Sequence, residues 1–211
     1  MEAFTTHRGV MAVLDRSNVD TDQIIPKQFL KSIRRTGFGE SLFFDWRYLP
    51  DGQTNPDFEL NEPRFRGASI LVAGNNFGCG SSREHAVWSI MQYGFRVLIA
   101  PYQEREGNRV PAFADIFRNN GVKNGLLTIE LAPEDVRSII RIVAREGRVE
   151  ATVDLQRQTL QIHAATPAVI NFAIDAGMKE HLLRGLDDIG LTERHADAIA
   201  AFEARHNAQM P

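Results

Sequence analysis

The stretch Gly74-Asn75-Asn76-Phe77-Gly78-Cys79-Gly80-Ser81-Ser82-Arg83-Glu84-His85 connects an apolar run, residues 68–73, to an apolar pattern of helical period, residues 83–93. The run predicts a buried strand and the pattern predicts a helix. Three glycines within seven residues allow the loop conformations that other residues avoid, and allow a ligand to approach closely. Because helix N-termini attract anions, the hydroxyl and guanidinium groups here predict an anion-binding or catalytic site.

The alternation of strand and helix continues along the chain. A second apolar run, residues 95–100, follows the helix, and this order predicts a βαβ unit with parallel strands in an α/β fold. Period-two alternation around a polar turn predicts a hairpin of residues 149–155 and 159–164. A helix over 112–119 is expected to end at Asn119-Asn120-Gly121. Further strands are predicted at 8–14 and 126–131, and further helices at 27–32, 40–48, 133–145, 177–185 and 192–206.

Two segments show no sustained period. Residues 49–66, rich in Pro, Asp and Asn, and residues 102–111, polar and charged, are both predicted to be surface connections. The chain shows no internal repeat, and 211 residues are within the size of one domain. We therefore predict a single domain over residues 1–211 with a ragged polar tail from about residue 205.

Composition and charge argue against several classes of function. A formal net charge of −3 gives no reason to expect a nucleic-acid partner. The apolar runs are too short to span a bilayer, and residues 1–9 lack the apolar core of a signal peptide. Cys79 is the only cysteine, so this chain alone can form neither a disulfide nor an iron–sulfur or zinc cluster. We expect a reduced, cytoplasmic location, no membrane partner and no metal bound by this chain.

The loop has a plain structural alternative. Ser81 as the N-cap and Glu84 three residues later would form a capping box, with glycines making the turn. That alternative does not require Ser82 and Arg83, so an anion site is the preferred interpretation. Two nucleotide-binding motifs do not fit, because a P-loop needs a lysine that is absent and Gly-x-Gly-x-x-Gly needs a glycine at position 83.

Cys79 itself has two interpretations. As a nucleophile, its pKa would be lowered by the helix N-terminus and by Arg83. As a small side chain that packs in the loop, it would need no special environment. The sequence favours packing, because no histidine has a clear role as its partner.

Other polar clusters are weaker candidates. Asp15, Asp20 and Asp22 lie in a turn-rich loop that lacks the ligand series of an EF-hand, and Asp15 and Asp20 are predicted to form turns and a helix cap. The basic segment Arg34-Arg35-Thr36-Gly37 is predicted to be a surface loop that could pair with Arg83 to clamp a dicarboxylate. Four histidines are assigned to helix or hairpin surfaces without a role: His163, His181, His195 and His206.

Seven short segments carry a resemblance to a known family. They are 18–30 (NVDTDQIIPKQFL), 35–39 (RTGFG), 45–47 (DWR), 55–58 (NPDF), 76–86 (NFGCGSSREHA), 113–117 (FADIF) and 185–192 (GLDDIGLT). Together they resemble the small subunits of bacterial 3-isopropylmalate dehydratases, in the aconitase superfamily, from about residue 4 to about residue 205. The resemblance implies the swivelling β/β/α domain that is the fourth domain of aconitase, a mixed sheet flanked by helices.

The resemblance also implies a reaction shared between two chains. Members of that family interconvert 2-isopropylmalate and 3-isopropylmalate by dehydration and rehydration in leucine biosynthesis. A separate large subunit holds a four-iron four-sulfur cluster through three cysteines, and its open iron binds the hydroxy-dicarboxylate substrate as a Lewis acid. A chain with one cysteine fits the small-subunit role, with the cofactor held by its partner.

The central motif implies roles for three residues. Ser81 matches the superfamily's catalytic serine, the base that removes the proton beside a carboxylate. A serine needs a stabilised alkoxide for this task, and Arg83, nearby backbone N–H groups and the helix dipole are the local features that could supply it. Ser82 and Arg83 match substrate-binding positions, with Arg83 facing a carboxylate.

The early segments imply three further roles. Asp22 matches an acidic catalytic residue in the turn after the first strand. Arg35 matches a substrate-binding arginine. Thr36 and its neighbours match the loop expected to contact the isopropyl group.

One segment departs from the family pattern. The family passes from Ala-Pro through a serine into Phe-Ala-Asp-Ile-Phe, whereas here an insertion of about residues 102–112 separates Pro101 from Phe113. It follows a strand end, where α/β sheets place their sites, so we expect it to contact the partner subunit or to narrow the pocket. Two alternatives therefore stay open: a related hydro-lyase acting on a methylmalate, dimethylmalate or homoaconitate type of diacid, and a non-catalytic binding subunit.

Overall fold

A computed structural model describes residues 1–31, 35–185, 188–193 and 195–206. Within these ranges no helix combines the length and the apolar content that crossing a membrane would require. The strands β1–β9 are Thr6–Leu14, Ile70–Ala73, Val97–Pro101, Gln103–Arg105, Asn108–Val110, Leu127–Leu131, Glu150–Asp154, Thr159–His163 and Ala168–Asn171. The helices α1–α8 are Thr21–Ile24, Phe44–Arg47, Glu84–Tyr93, Asp115–Asn124, Pro133–Glu146, Ala176–Arg184, Asp188–Glu193 and Ala196–His206. Short 3-10 helices lie at Lys27–Lys31, Gly39–Ser41, Glu59–Asn61 and Pro63–Phe65.

Seven strands form one mixed sheet in the order β6-β3-β2-β1-β7-β8-β9. The strands β6, β3, β2 and β1 are parallel, and β7, β8 and β9 continue the sheet in antiparallel pairs. The first strand joins the two halves, because Met11 to Leu14 pair with β2 whereas Thr6 to Val10 pair with β7. The predicted α/β class, the mixed sheet and the parallel β2-α3-β3 unit are confirmed.

Burial explains the two kinds of strand pattern. Every residue of β2 is buried, as are the first four of β3, because parallel strands are covered on both faces and so read as continuous apolar runs. Helix α5 packs on β1 and β3 and buries Val136, Ile139 and Val143. By contrast, β7 and β8 alternate between buried and partly exposed residues, as the predicted hairpin requires.

The predicted end of α4 is wrong. The helix runs through Asn119-Asn120-Gly121 to Asn124 and is closed by Gly125, which has a φ of 90°. Packing overrides the local stop signal here, because the continued helix buries Val122 and contacts α3, α6 and β6.

Two surface assignments are also wrong. Residues 49–66 contain two 3-10 turns that place Phe58, Leu60 and Phe65 in the core, so this irregular segment covers the sheet rather than only connecting elements. His181 is buried, because α6 packs against α4.

The predicted helix 192–206 corresponds to the end of α7 together with α8, and the predicted tail beyond residue 206 lies outside the described residues.

The insertion forms a two-stranded hairpin, β4–β5, in which Gln103 pairs with Val110. Glu130 on β6 holds its base, because the carboxylate accepts from the Arg109 guanidinium at 3.1 Å and from the Ala112 N–H at 3.2 Å. The Arg109 guanidinium also lies 3.9 Å from the centre of the Tyr102 ring. The hairpin is therefore anchored to the parallel half of the sheet.

Replacing this anchor should destabilise the fold. Glu130→Ala leaves the Ala112 N–H and the Arg109 guanidinium without their acceptor, which should cost about 1–3 kcal/mol in the free energy of unfolding. Urea denaturation measures the loss, and trypsin should cleave the hairpin faster. Glu104→Ala, at an exposed hairpin position, is the control and should change stability by less than about 0.5 kcal/mol. Equal stability of the two variants would contradict the anchor.

Candidate active site

Backbone hydrogen bonds join the loops that follow β1 and β2. The two strands end side by side, with Leu14 opposite Ala73, so their loops begin in register. The Thr21 N–H donates to the Cys79 carbonyl at 3.0 Å, and the Thr21 hydroxyl donates to the Ser81 carbonyl at 2.8 Å. The remaining bonds run from Gly74 N–H to Arg16 O at 3.1 Å, from Asn18 N–H to Asn75 O at 2.8 Å and from Gly78 N–H to Val19 O at 2.7 Å.

The segment before α4 holds the other side of the second loop. The Phe77 N–H donates to the Ala112 carbonyl at 2.9 Å, and the Ala114 N–H donates to the Phe77 carbonyl at 3.1 Å. The Phe77 and Phe117 rings lie 5.5 Å apart. Gly78 is required between them, because its φ is +75° and a Cβ at this position would overlap the Phe117 ring.

A cleft of about 280 Å³ lies between this loop and the first turn of α4. The hydroxyl-bearing residues Ser81 and Ser82 are exposed, whereas only 13% of the Arg83 side chain is accessible. Hydroxyl groups and a guanidinium thus share one concave surface, which suits an anionic ligand. The lining residues are Thr21, Gly78, Gly80, Ser81, Ser82, Arg83, Ala114, Asp115, Ile116 and Phe117.

Arg83 is held by Asp22, which lies in the first turn of α1. That turn is fixed by a capping box, in which the Asp20 carboxylate accepts from the Gln23 N–H at 2.8 Å and the Gln23 side chain accepts from the Asp20 N–H at 2.9 Å. The Nη1 atom of Arg83 forms an ion pair with Oδ1 of Asp22. The Nζ atom of Lys27 lies 3.9 Å from Oδ2 of the same Asp22 carboxylate. The predicted cap role of Asp20 is confirmed, and the structure brings Asp22 to the cleft through Arg83.

The capping-box alternative for Ser81 is wrong. Helix α3 begins at Glu84, its N-cap is Arg83 in an extended conformation, and that cap makes no side-chain hydrogen bond. Ser81 lies outside the helix because Gly80 turns the chain at a φ of 89° and the Thr21 hydroxyl binds the Ser81 carbonyl. The Ser81 side chain is therefore not engaged in capping α3.

Cys79 does not have the environment of an activated nucleophile. Burial raises the pKa of the Cys79 thiol, and the nearby Asp20 carboxylate raises it further. A nucleophilic cysteine requires a lowered pKa, so the nucleophilic interpretation of Cys79 is wrong. Cys79 is half-buried in the loop, and its backbone carbonyl accepts the Thr21 bond.

Arg35 and Thr36 lie outside the serine cleft. The Arg35 guanidinium lies 5.8 Å from the centre of the Trp88 ring. The backbone carbonyl of Arg35 accepts a hydrogen bond from the Gln92 side chain at 2.8 Å. Arg35 borders a separate cavity of about 310 Å³ together with Glu84, Trp88, Met91, Gln92 and Asn124. Of the predicted basic loop, Arg34 lies outside the described residues, as do residues 32 and 33 before it.

Two cleft residues belong to sequence motifs in which neither had a predicted role. Thr21 is in the early motif, and its hydroxyl bond to the Ser81 carbonyl depends on tertiary pairing that periodicity does not reveal. Ile116 is in the Phe-Ala-Asp-Ile-Phe motif and is 53% exposed beside Ser81. An apolar residue in the first turn of an amphipathic helix is normally assigned to the core, so its exposure gave no signal in the sequence.

Comparison with known proteins decides the family. Residues 1–134 match the Aconitase C-terminal domain model, and residues 188–211 match the model for the C-terminal domain of the 3-isopropylmalate dehydratase small subunit. The small subunit from Desulforapulum autotrophicum is 58% identical over all of this chain and 98% of its own length. The chain belongs to the 3-isopropylmalate dehydratase small-subunit family. A second family member, from Halalkalibacterium halodurans, is 53% identical over 97% of this chain and 98% of its own length.

A solved structure supports the fold of this family. The 3-isopropylmalate dehydratase crystal structure from Methanocaldococcus jannaschii superposes with a TM-score of 0.63, covering 93% of this chain and 98% of that chain. Its sequence identity is 21%, so this likeness concerns the fold alone. The expected aconitase-type domain is confirmed.

Gly78→Ala should disrupt the loop more than a matched glycine does. Both Gly78 and Gly67 have φ near +70°, but a Cβ at Gly67 meets nothing within 4 Å. Gly67→Ala should therefore cost only the backbone strain, about 1–2 kcal/mol, whereas Gly78→Ala adds about 1–3 kcal/mol of overlap with Phe117. Thermal or urea unfolding of both variants measures the difference, and equal losses would contradict the required close approach.

Cys79 should react slowly with alkylating agents. Because the thiolate is the reactive form and the pKa is raised, less thiolate is present at any given pH than in an unperturbed cysteine. The rate of iodoacetamide labelling should therefore rise at a higher pH in the folded chain than in the same chain unfolded in urea. Faster labelling of the folded chain near neutral pH would indicate an activated thiol instead.

Proposed function

We propose that this chain is the small subunit of a 3-isopropylmalate dehydratase, which interconverts 2-isopropylmalate and 3-isopropylmalate in leucine biosynthesis. The observation that carries the proposal is the cleft, where Ser81, Ser82 and Arg83 share one concave surface in a chain of this family. The substrate is a hydroxy-dicarboxylate, and this surface offers it hydroxyl donors and a guanidinium.

Ser81 is the proposed base that removes the proton beside a substrate carboxylate. It is exposed in the cleft, and its side chain is not used as a helix cap. Helix α3 begins three residues after Ser81 and its N-terminus has no side-chain cap, so its first N–H groups and the Arg83 charge are the proposed stabilisers of the alkoxide. Ser82 is the proposed hydroxyl donor to the substrate.

Arg83 is the proposed partner of a substrate carboxylate, and Asp22 is its orienting group. The ion pair uses one Nη of the guanidinium, which has five N–H donors in a planar fork. Donors on the remaining nitrogens can bind a carboxylate while Asp22 fixes the plane of the guanidinium. Lys27, 3.9 Å from Asp22, adds a second positive charge to this side of the site.

Arg35 and Thr36 are proposed to bind the substrate from the α3 side. The Arg35 guanidinium lies over Trp88, which is five residues beyond Arg83, a rise of about 7.5 Å along a helix. In this proposal the Arg35 guanidinium binds the second carboxylate of a diacid held by Arg83. Bidentate binding of carboxylates favours arginine at both positions.

The cofactor of the proposed reaction belongs to the partner. A four-iron four-sulfur cluster needs several thiolates, and this chain has one cysteine, so the large subunit would hold it. When bound there, the cluster supplies Lewis-acid chemistry at the substrate hydroxyl. Among the described residues, no group of three His, Cys, Asp or Glu side chains is arranged to hold a metal ion. A cytoplasmic location is proposed with this partnership, since the lone thiol requires no oxidising compartment.

Ser81→Ala tests the catalytic role. In an anaerobic mixture with the cluster-bearing large subunit, this variant should lower kcat about a hundred-fold to ten-thousand-fold, as expected for the loss of a positioned base. Its affinity for the large subunit should not change. Ser17→Ala is the matched control, because Ser17 is exposed in the facing loop and does not line the cleft.

The same assay separates the alternatives. Turnover confined to isopropylmalate and dependent on both chains supports the proposal, whereas activity only on a methylmalate, dimethylmalate or homoaconitate type of diacid would move the substrate. Full activity of Ser81→Ala would instead support a non-catalytic binding subunit.

A further inference from the structure

Ile116 is an exposed apolar side chain inside the cleft. It is 53% exposed, although it lies beside Ser81, Ser82 and Arg83. Phe117, the next residue, also lines the cleft but is only 3% exposed. Ile116 is therefore the large aliphatic side chain that the described cleft presents to a ligand.

The position of Ile116 is imposed by its neighbours. Backbone hydrogen bonds from Ala114 N–H to Phe77 O, at 3.1 Å, and from Arg118 N–H to Ala114 O, at 2.9 Å, fix the first turn of α4. Phe117 packs against Phe77 with ring centres 5.5 Å apart, which directs one side of this turn into the core. Ile116 is carried on the other side by a rigid base.

The cleft therefore has two chemically different walls. One carries the hydroxyl groups of Ser81 and Ser82 and the guanidinium of Arg83. The other carries Ile116, Ala114 and Asp115, whose carboxylate pairs with Arg118 at 3.2 Å. A ligand with carboxylates at one end and a branched aliphatic group at the other would match both walls. A diacid without an alkyl group would leave the Ile116 side chain in water.

We propose that Ile116 contacts the branched alkyl group of the diacid substrate and so determines specificity for alkyl size. This inference rests on the proposed function and adds a specificity residue on the α4 side of the cleft. It is independent of Thr36 and its neighbours, which lie outside this cleft.

The test compares two malates, one bearing an isopropyl group and one bearing a methyl group, with the assembled two-subunit enzyme. Ile116→Ala should lower kcat/KM for the isopropyl substrate about ten-fold or more, because a lost methylene contact in an apolar pocket typically costs this much. For the methyl substrate, kcat/KM and the inhibition constant as a competitive inhibitor should each change less than about three-fold, since this substrate does not reach the removed atoms. Ile116→Phe should shift the preference towards the methyl substrate by filling the space.

Val169→Ala is the control, because Val169 is 62% exposed on β9, at the opposite edge of the sheet from β6. This variant should leave kcat/KM unchanged for both substrates. An equal fall on both substrates with Ile116→Ala would overturn the inference, as would a fall explained by weaker binding of the large subunit. Absence of isopropylmalate turnover by the unsubstituted enzyme would overturn the proposed function and this inference together, whereas normal turnover with unchanged selectivity would overturn the inference alone.

Discussion

The backbone pairing between the loops after β1 and β2 is the constraint on which the rest of the site depends. Parallel strands deliver both loops to one edge of the sheet, and hydrogen bonds such as those from Gly78 to Val19 and from Thr21 to Cys79 hold them together. Ser81 belongs to one loop and Asp22 follows the other. Without this pairing, Asp22 could not orient Arg83, and the proposed base would lie on a loop without a fixed partner.

A second constraint acts from the side of α4. The Phe77 backbone pairs with Ala112 and Ala114, and the Phe117 ring occupies the space that only glycine leaves open at position 78. The inserted hairpin lies in the chain between β3 and this segment. Glu130 anchors the base of the hairpin, and the hairpin residues are not among those that line the described cleft. The insertion is therefore anchored to β6 and contributes no residue to the lining of this cleft.

The ion pair of Arg83 and Asp22 matters for geometry more than for stability. Asp22 is 40% exposed, and ion pairs in contact with water contribute little to the free energy of folding. Their value here is that a planar guanidinium is held in one orientation at the cleft. Under the proposed function, this chain supplies a positioned base and carboxylate-binding groups, and the large subunit supplies the Lewis acid.

The sequence by itself determined the βαβ unit, the mixed α/β class and, through the resemblance, the family, and it proposed the loop from Gly74 to Arg83 as the site. Local periodicity and short motifs in the sequence are sufficient to predict those features. Tertiary structure alone decided that α4 passes through Gly121, that His181 is buried, and that Ser81 lies before the helix cap. It also decided that Ile116 of the Phe-Ala-Asp-Ile-Phe motif is exposed in the cleft whereas Phe117 is buried. The physical reason is that packing and pairing between distant segments outweigh local propensity, and neither leaves a periodic signal in the chain.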